Sequence, residues 1–199
     1  MSSVVAVSCD QGFVISSDTV AFKPPAEKKY GRVRGSTRKL FQLTDDILAA
    51  AVGEWTSYFP VFNAAARGGR PTEKLVPELL DQCAKKAADS RVYIFYRLGK
   101  RVHLDTSELG HARREMPGAV AYPDPLLNDL FNRVYESPEG LIVRKTGMLG
   151  ICALVEGFNA MAASLSAELS PPFDTVCFLA EGLFVVRGGV TRLPLSDLW

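Results

Sequence analysis

Metal-ligand spacing is missing from this chain. Its four cysteines, Cys9, Cys83, Cys152 and Cys177, lie far apart and form neither a CxxC pair nor a Cys/His pattern, so neither a metal site nor any other cofactor is expected. Histidine is nearly absent, and both copies, His103 and His111, fall in or beside expected loops as lone surface residues rather than ligands or bases. No charge of one sign prevails: 23 basic side chains face 22 acidic ones, which gives no reason to invoke nucleic acid or an anionic membrane. The longest apolar segments are broken by Glu, Arg or Gly before they reach the ~18 to 20 residues of a membrane span. With no signal peptide, repeat or low-complexity tract, the expectation is a soluble cytoplasmic protein whose cysteines are reduced and buried.

What is present is apolar material spread evenly: 47% of the 199 residues are hydrophobic, enough to close the core of one domain spanning 1–199. Val4 to Ser8 and Phe13 to Ser17 flank the turn residues Asp10 and Gly12 and predict a hairpin. The run Val4-Val5-Ala6-Val7 is apolar without alternation, as in a strand covered on both faces. Residues 21–37, with Pro24, Pro25, Gly31 and Gly35, read as a long loop. A second hairpin follows at Lys39 to Leu43 and Ile47 to Val52.

Thr56 or Ser57, and then Thr72, are placed to cap two helices, ending near Ala66 and Ala88. In the latter, Leu75, Leu79, Leu80 and Cys83 share one face. Val92 to Tyr96 and Val102 to Leu104 form a third hairpin, and 106–122 read as loop. Asp124-Pro125 opens a helix with Leu126, Leu127, Leu130, Phe131 and Val134 as its apolar face, stopped by Ser137-Pro138-Glu139-Gly140. Residues 141–147 are ambiguous, Leu149 to Leu169 read as a long apolar helix in which Ser164 and Ser166 serve packing, and a last hairpin spans Thr175 to Val186. Hairpins interrupted by two helix groups predict two stacked antiparallel sheets with a helical layer outside each, a four-layer αββα sandwich of the α+β class.

The chemistry-bearing stretch is the first. A serine directly after Met1 satisfies the usual requirement for initiator removal, and Ser2 would then carry a free α-amine beside its hydroxyl. An amine titrating near ~7.7 to 8.0 is a usable base at neutral pH, and the hydroxyl is a nucleophile.

Ser2 followed by an apolar strand, Asp18 sixteen positions later at the end of the second strand, Lys39 in Lys39-Leu40-Phe41-Gln42, and the strand Leu48-Ala49-Ala50-Ala51-Val52 closing in Gly53-Glu54 occur in that order. In this the chain resembles the proteasome β-subunits and their bacterial relatives, which are N-terminal nucleophile (Ntn) hydrolases. The similarity is clearest over residues 2–54.

The resemblance implies the Ntn-hydrolase fold, with Ser2 as nucleophile and its own amine as base. It implies that Lys39 keeps that amine's pKa low by like-charge repulsion, that Asp18 holds Lys39, and that the backbone N–H of Ala50 serves as oxyanion donor. It further implies a pocket lined by Ala21, Thr37, Leu48 and Val52, uncharged and so favouring apolar residues before the cleaved bond. The substrate would be peptide or unfolded protein, and the assembly stacked rings of identical subunits; whether an ATPase feeds them is not legible here. Spacing to Asp18 favours Ser2 over Ser3.

Active members also carry a Gly-Ser-Gly turn before the third helix and an Asp-x-x-Ser-Gly stretch before the last hairpin. Here these regions read Ala119-Val120-Ala121-Tyr122-Pro123 and Glu168-Leu169-Ser170-Pro171-Pro172, and residues 138–150 look like an insertion. Two alternatives therefore stand beside the peptidase: an inactive proteasome-like scaffold or interaction subunit, and an N-terminal-serine amidase or peptide ligase with one dedicated substrate.

Overall fold

A computed structural model describes residues 3–23, 33–53, 55–86, 90–108, 111–113, 118–122, 124–166, 169 and 171–194, with the backbone alone at 20–23, 33–36, 55, 108, 111–113 and 119. The first hairpin forms as its turn residues dictate: β1 (Val4–Cys9) and β2 (Gly12–Asp18) pair antiparallel, with Val4 opposite Ser17. After it come β3 (Val20–Lys23) and β4 (Val33–Ser36), then β5 (Leu40–Thr44) and β6 (Ile47–Val52). A 3-10 turn at Trp55–Tyr58 leads into α1 (Phe59–Arg67) and α2 (Thr72–Ala84). Strands β7 (Arg91–Leu98), β8 (Arg101–Glu108), β9 (His111–Arg113) and β10 (Gly118–Ala121) follow. The chain continues through α3 (Pro125–Glu136), α4 (Pro138–Lys145) and α5 (Met148–Leu165), and finishes with β11 (Phe173–Leu179), β12 (Gly182–Arg187) and β13 (Thr191–Arg192).

These strands build a first sheet in the order β10-β1-β2-β11-β12, a second in the order β13-β5-β6-β7-β8-β9, and the small pair β3-β4. Every pairing is antiparallel except the short β13 to β5 contact. The unbroken apolar run of β1 is explained by burial on both sides. Val4 and Ala6 pack with Ile15, Leu48, Ala50, Phe95 and Phe178 in a cluster drawn from both sheets. Val5 and Val7 pack with Phe131, Val155 and Phe158 of α3 and α5. Likewise Ile47, Ala49 and Ala51 of β6 face Phe62, Leu75 and Leu79 of α1 and α2. Three apolar layers thus separate helices, sheet, sheet and helices, an α+β arrangement compatible with a sandwich.

Several expectations change. Residues 21–37 are not all loop, since Val20 to Lys23 pairs with Val33 to Ser36; the intervening 24–32 lie outside the described residues. Nor is all of 106–122 loop, of which 109–110 and 114–117 lie outside the described residues. β8 continues to Glu108, β9 pairs with it, and Ala119-Val120-Ala121 adds an edge strand to β1. The small residues there lacked the β-branched signature of a strand, but β1 supplies a waiting edge.

Neither Thr56 nor Ser57 caps α1, which continues from the 3-10 turn, and Thr72 is the first residue of α2 behind Pro71 without a side-chain cap. Asp124 does cap α3, accepting from the Leu126 N–H. Of the apolar face assigned to α3, Leu127 and Phe131 are buried, whereas Leu126 and Leu130 are exposed. Ser137 ends α3 as expected, yet its Oγ also accepts from the Gly140 N–H and starts α4, resolving the ambiguous 141–147 as helix. By length and composition α5 is apolar enough to cross a membrane, with a mean hydropathy of 1.5 over its 18 residues, which corrects the expectation that no run approaches that length. It rests instead on the first sheet through Ile151, Cys152, Val155, Phe158 and Ala162.

Candidate functional site

The hairpin register sets the site. Val4 stands opposite Ser17, Ser3 and Asp18 are the next residues outward, and the Asp18 carboxylate turns back onto the first strand's start. Its Oδ1 accepts from the Ser3 backbone N–H at 2.5 Å and from Ser3 Oγ at 3.2 Å. Ser17 Oγ donates to the Ser3 carbonyl at 2.9 Å, so both backbone groups of Ser3 are held. Ser2 lies outside the described residues; its neighbour is fixed on Asp18.

The other carboxylate oxygen reaches the second sheet. Lys39, immediately before β5, donates from Nζ to Asp18 Oδ2 at 2.7 Å, and both side chains are wholly buried, at 0% exposure. Burial is the larger influence on Lys39 and pushes its pKa below the ordinary lysine value; the Asp18 charge and hydrogen bond oppose that push without cancelling it. The ammonium is therefore easier to deprotonate than a surface lysine, although it is paired. Asp18 and Lys39 are in direct contact, the pairing that the resemblance implied.

The remaining residues assigned to the site fall around this pair with different exposure. Ala50 stands opposite Leu40 on one side and Tyr93 on the other, at the end of the β5 ladder and next to where Lys39 enters. Leu48 is fully closed into the layer between the sheets, and Val52 packs half-buried against that layer. The Thr37 N–H donates to the Thr19 carbonyl at 2.7 Å, tying the start of the Lys39 segment to the end of β2. Ala21 is a backbone member of β3 opposite Gly35, and its side chain is outside the described residues.

Two polar groupings at this end escaped the sequence reading. The Tyr122 hydroxyl donates to Asn159 Oδ1 at 2.6 Å, Asn159 Nδ2 donates to Ser16 Oγ at 2.8 Å, and Ser16 shares a 3.0 Å hydrogen bond with Thr175 Oγ1. This chain ties α5 to β2 and β11 beneath Asp18. Burial, and secondarily the Asp18 charge, raise the Tyr122 pKa, so the phenol stays protonated and donates. The second grouping is Asp174 of β11, which is opposite Ser17 and accepts from the Gly189 N–H at 2.8 Å, with Arg38 Nε 3.9 Å from the same oxygen. The signal for both was polarity where none was needed: Asn159 on an apolar helix face, and Ser16, Asp174 and Thr175 inside apolar strands.

His103 and Ser164 make contacts of other kinds. His103 stacks on Tyr96, with ring centroids 5.2 Å apart, and the His111 side chain is outside the described residues. Ser164 is exposed and donates to the Met161 carbonyl, so it does not serve packing as expected. No group of three metal-ligating side chains occurs among the described residues.

The arrangement holds a cation and a carboxylate, both withdrawn from water, against Ser3. The chain matches no protein-family model and no curated protein.

Proposed function

We propose that the protein is an N-terminal serine peptidase of the proteasome-like kind, with the four-layer αββα fold of the Ntn hydrolases. The observation that carries this reading is the wholly buried Asp18 to Lys39 pair joined to the Ser3 N–H. Taking two charges out of water costs more than their attraction generally returns. A pair kept in that state beside the chain's first strand is better explained by chemistry than by stability.

In the proposed reaction Met1 is removed, Ser2 Oγ attacks the carbonyl carbon of the substrate amide, and the proton passes to the Ser2 α-amine through a water. Ala50, whose N–H the resemblance assigns to the oxyanion, is wholly buried with ladder partners on both sides, so the donor has to come from another backbone group. The C–N bond then breaks, the α-ammonium returns its proton to the leaving amine, and a second water hydrolyses the ester. Lys39 keeps the α-amine neutral, and Asp18 holds both Lys39 and the Ser3 backbone. Ala21, Thr37 and Val52 would line an uncharged pocket that favours an apolar residue before the cleaved bond, whereas Leu48, which the resemblance also assigns to it, is closed into the layer between the sheets and takes no part. The substrate class is peptide or unfolded protein, cut inside stacked rings of identical cytoplasmic subunits, and no cofactor, nucleic acid or membrane is involved.

A second reading, a scaffold subunit without activity, draws on Tyr122. In place of a Gly-Ser-Gly turn, the chain has a strand that pairs with β1 and a tyrosine that is buried and bonded to Asn159.

One experiment separates the two. Intact mass shows whether Met1 is removed, and a peptide epoxyketone is expected to add one equivalent at Ser2 while leaving Ser2→Ala unmodified. Turnover of apolar fluorogenic peptides that survives Ser2→Ala would end the catalytic reading. A protein found only as a monomer by light scattering would end the ring, since a closed ring requires its copies.

A further inference from the structure

The consecutive residues Arg38 and Lys39 leave the second sheet together and meet two carboxylates on neighbouring strands of the first. Lys39 takes Asp18 of β2, and Arg38 takes Asp174 of β11, which stands opposite Ser17. Asp174 is buried while Arg38 is about half exposed, so the second pair reaches solvent where the first does not.

Asp174 also governs the chain that follows β12. Its Oδ1 accepts from Gly189 N–H, and Gly188 turns there with a φ of +69°, a conformation that side-chain-bearing residues rarely adopt. A Cβ on Gly188 would stand 2.0 Å from Asp174 Oδ1, and one on Gly189 about 3.0 Å from the Arg38 guanidinium, so carboxylate, turn and guanidinium are packed without a gap. The turn leads into β13, whose Thr191 and Arg192 pair with Phe41 and Gln42 of β5. Asp174 therefore grips β5 twice, at its start through Arg38 and along its edge through β13.

We propose that Asp174 is a positioning residue for Lys39, fixing the ammonium against Asp18 through Arg38 and the Gly188-Gly189 turn. The proposal rests on the reading of Lys39 as a catalytic group. Asp174 Oδ2 is buried with no hydrogen-bond partner among the described residues, a cost that a purely structural carboxylate has no reason to keep.

The test uses Arg38→Gln, Arg38→Lys and Asp174→Asn in the full-length protein. Lys39 is followed by NMR titration of its side-chain signals, assigned with Lys39→Arg, and epoxyketone labelling gives the rate. Arg38→Gln and Asp174→Asn are each expected to move the Lys39 titration midpoint and to slow labelling by roughly tenfold to a hundredfold, the scale of a misplacement of about 1 Å. Arg38→Lys should restore most of the rate, and the double variant should lose no more than the worse single one. A Lys39 midpoint unchanged in both single variants overturns the proposal, whatever the rates do. A wild-type protein that takes no label overturns the peptidase reading instead, and the Lys39 midpoint alone then decides the role of Asp174.

Discussion

The two halves of β2 are equally buried and chemically opposite. From Phe13 to Ile15 the strand is apolar, with Phe13 and Ile15 facing the second sheet and Val14 facing α5. From Ser16 to Asp18 it is polar, yet exposure does not rise above 1%. The first half needs no explanation beyond the hydrophobic effect. In the second, every group has to find a partner: Ser16 finds Asn159 and Thr175, Ser17 finds Ser3, and Asp18 finds Ser3 and Lys39. A strand that buries hydroxyls and a carboxylate at its end, when the same fold would close over valines, is specified by something other than stability.

Unpairing the carboxylate is expected to have the largest effect. Lys39→Met leaves Asp18 charged and buried, and its cost is expected to be about 3 to 5 kcal/mol in denaturant unfolding. Adding Asp18→Asn should recover most of that loss while epoxyketone labelling stays absent. A single variant that unfolds at the wild-type midpoint would mean that the pair is not buried in solution.

At the apolar half the expected effect is smaller and confined to stability. Ile15→Val removes one methylene from the layer between the sheets and should cost about 0.5 to 1.5 kcal/mol, with the labelling rate unchanged. If Ile15→Val slowed labelling as much as the variants around Lys39 do, the two halves would be mechanically one unit and the contrast between them would fail.

That contrast also separates what was legible in the sequence from what was not. The hairpins of β1 with β2, β5 with β6, β7 with β8 and β11 with β12 follow from apolar runs broken by turn residues, whereas the contact of Asp18 with Lys39 was implied by the family resemblance and by no local pattern. The strands that were missed, β3, β4, β9, β10 and β13, are short, rich in glycine, alanine or charge, and form because a partner edge accepts their backbone. No local period announces such a strand. Arg38 and Asp174 escaped for a related reason. They are 136 residues apart in sequence, and only the stacking of the sheets brings them together.

The smallest expected effect concerns Asp174, and it changes with pH. Burial raises the Asp174 pKa above the ordinary 3.8, outweighing the Gly189 hydrogen bond and the Arg38 charge that pull it down. The folded protein therefore holds this proton more tightly than the unfolded chain, and the advantage is fully present only below 3.8. As pH rises through the folded-state value the proton leaves and that contribution is lost, so at neutral pH the wild type carries a buried charge with one unpartnered oxygen. Asp174→Asn keeps an acceptor for the Gly189 N–H and does not titrate. An unpartnered amide costs less than an unpartnered carboxylate oxygen, and the forfeited attraction is to a half-exposed Arg38. The variant should thus melt above the wild type at pH 7, and the gap should narrow as the pH is lowered toward 4. Scanning both proteins by calorimetry from pH 7 to 4 checks this. A gap that widens toward low pH, or a variant that melts lower throughout, would mean that Asp174 stabilises the fold and that its end of the sheet is held together for the same reason as the apolar end.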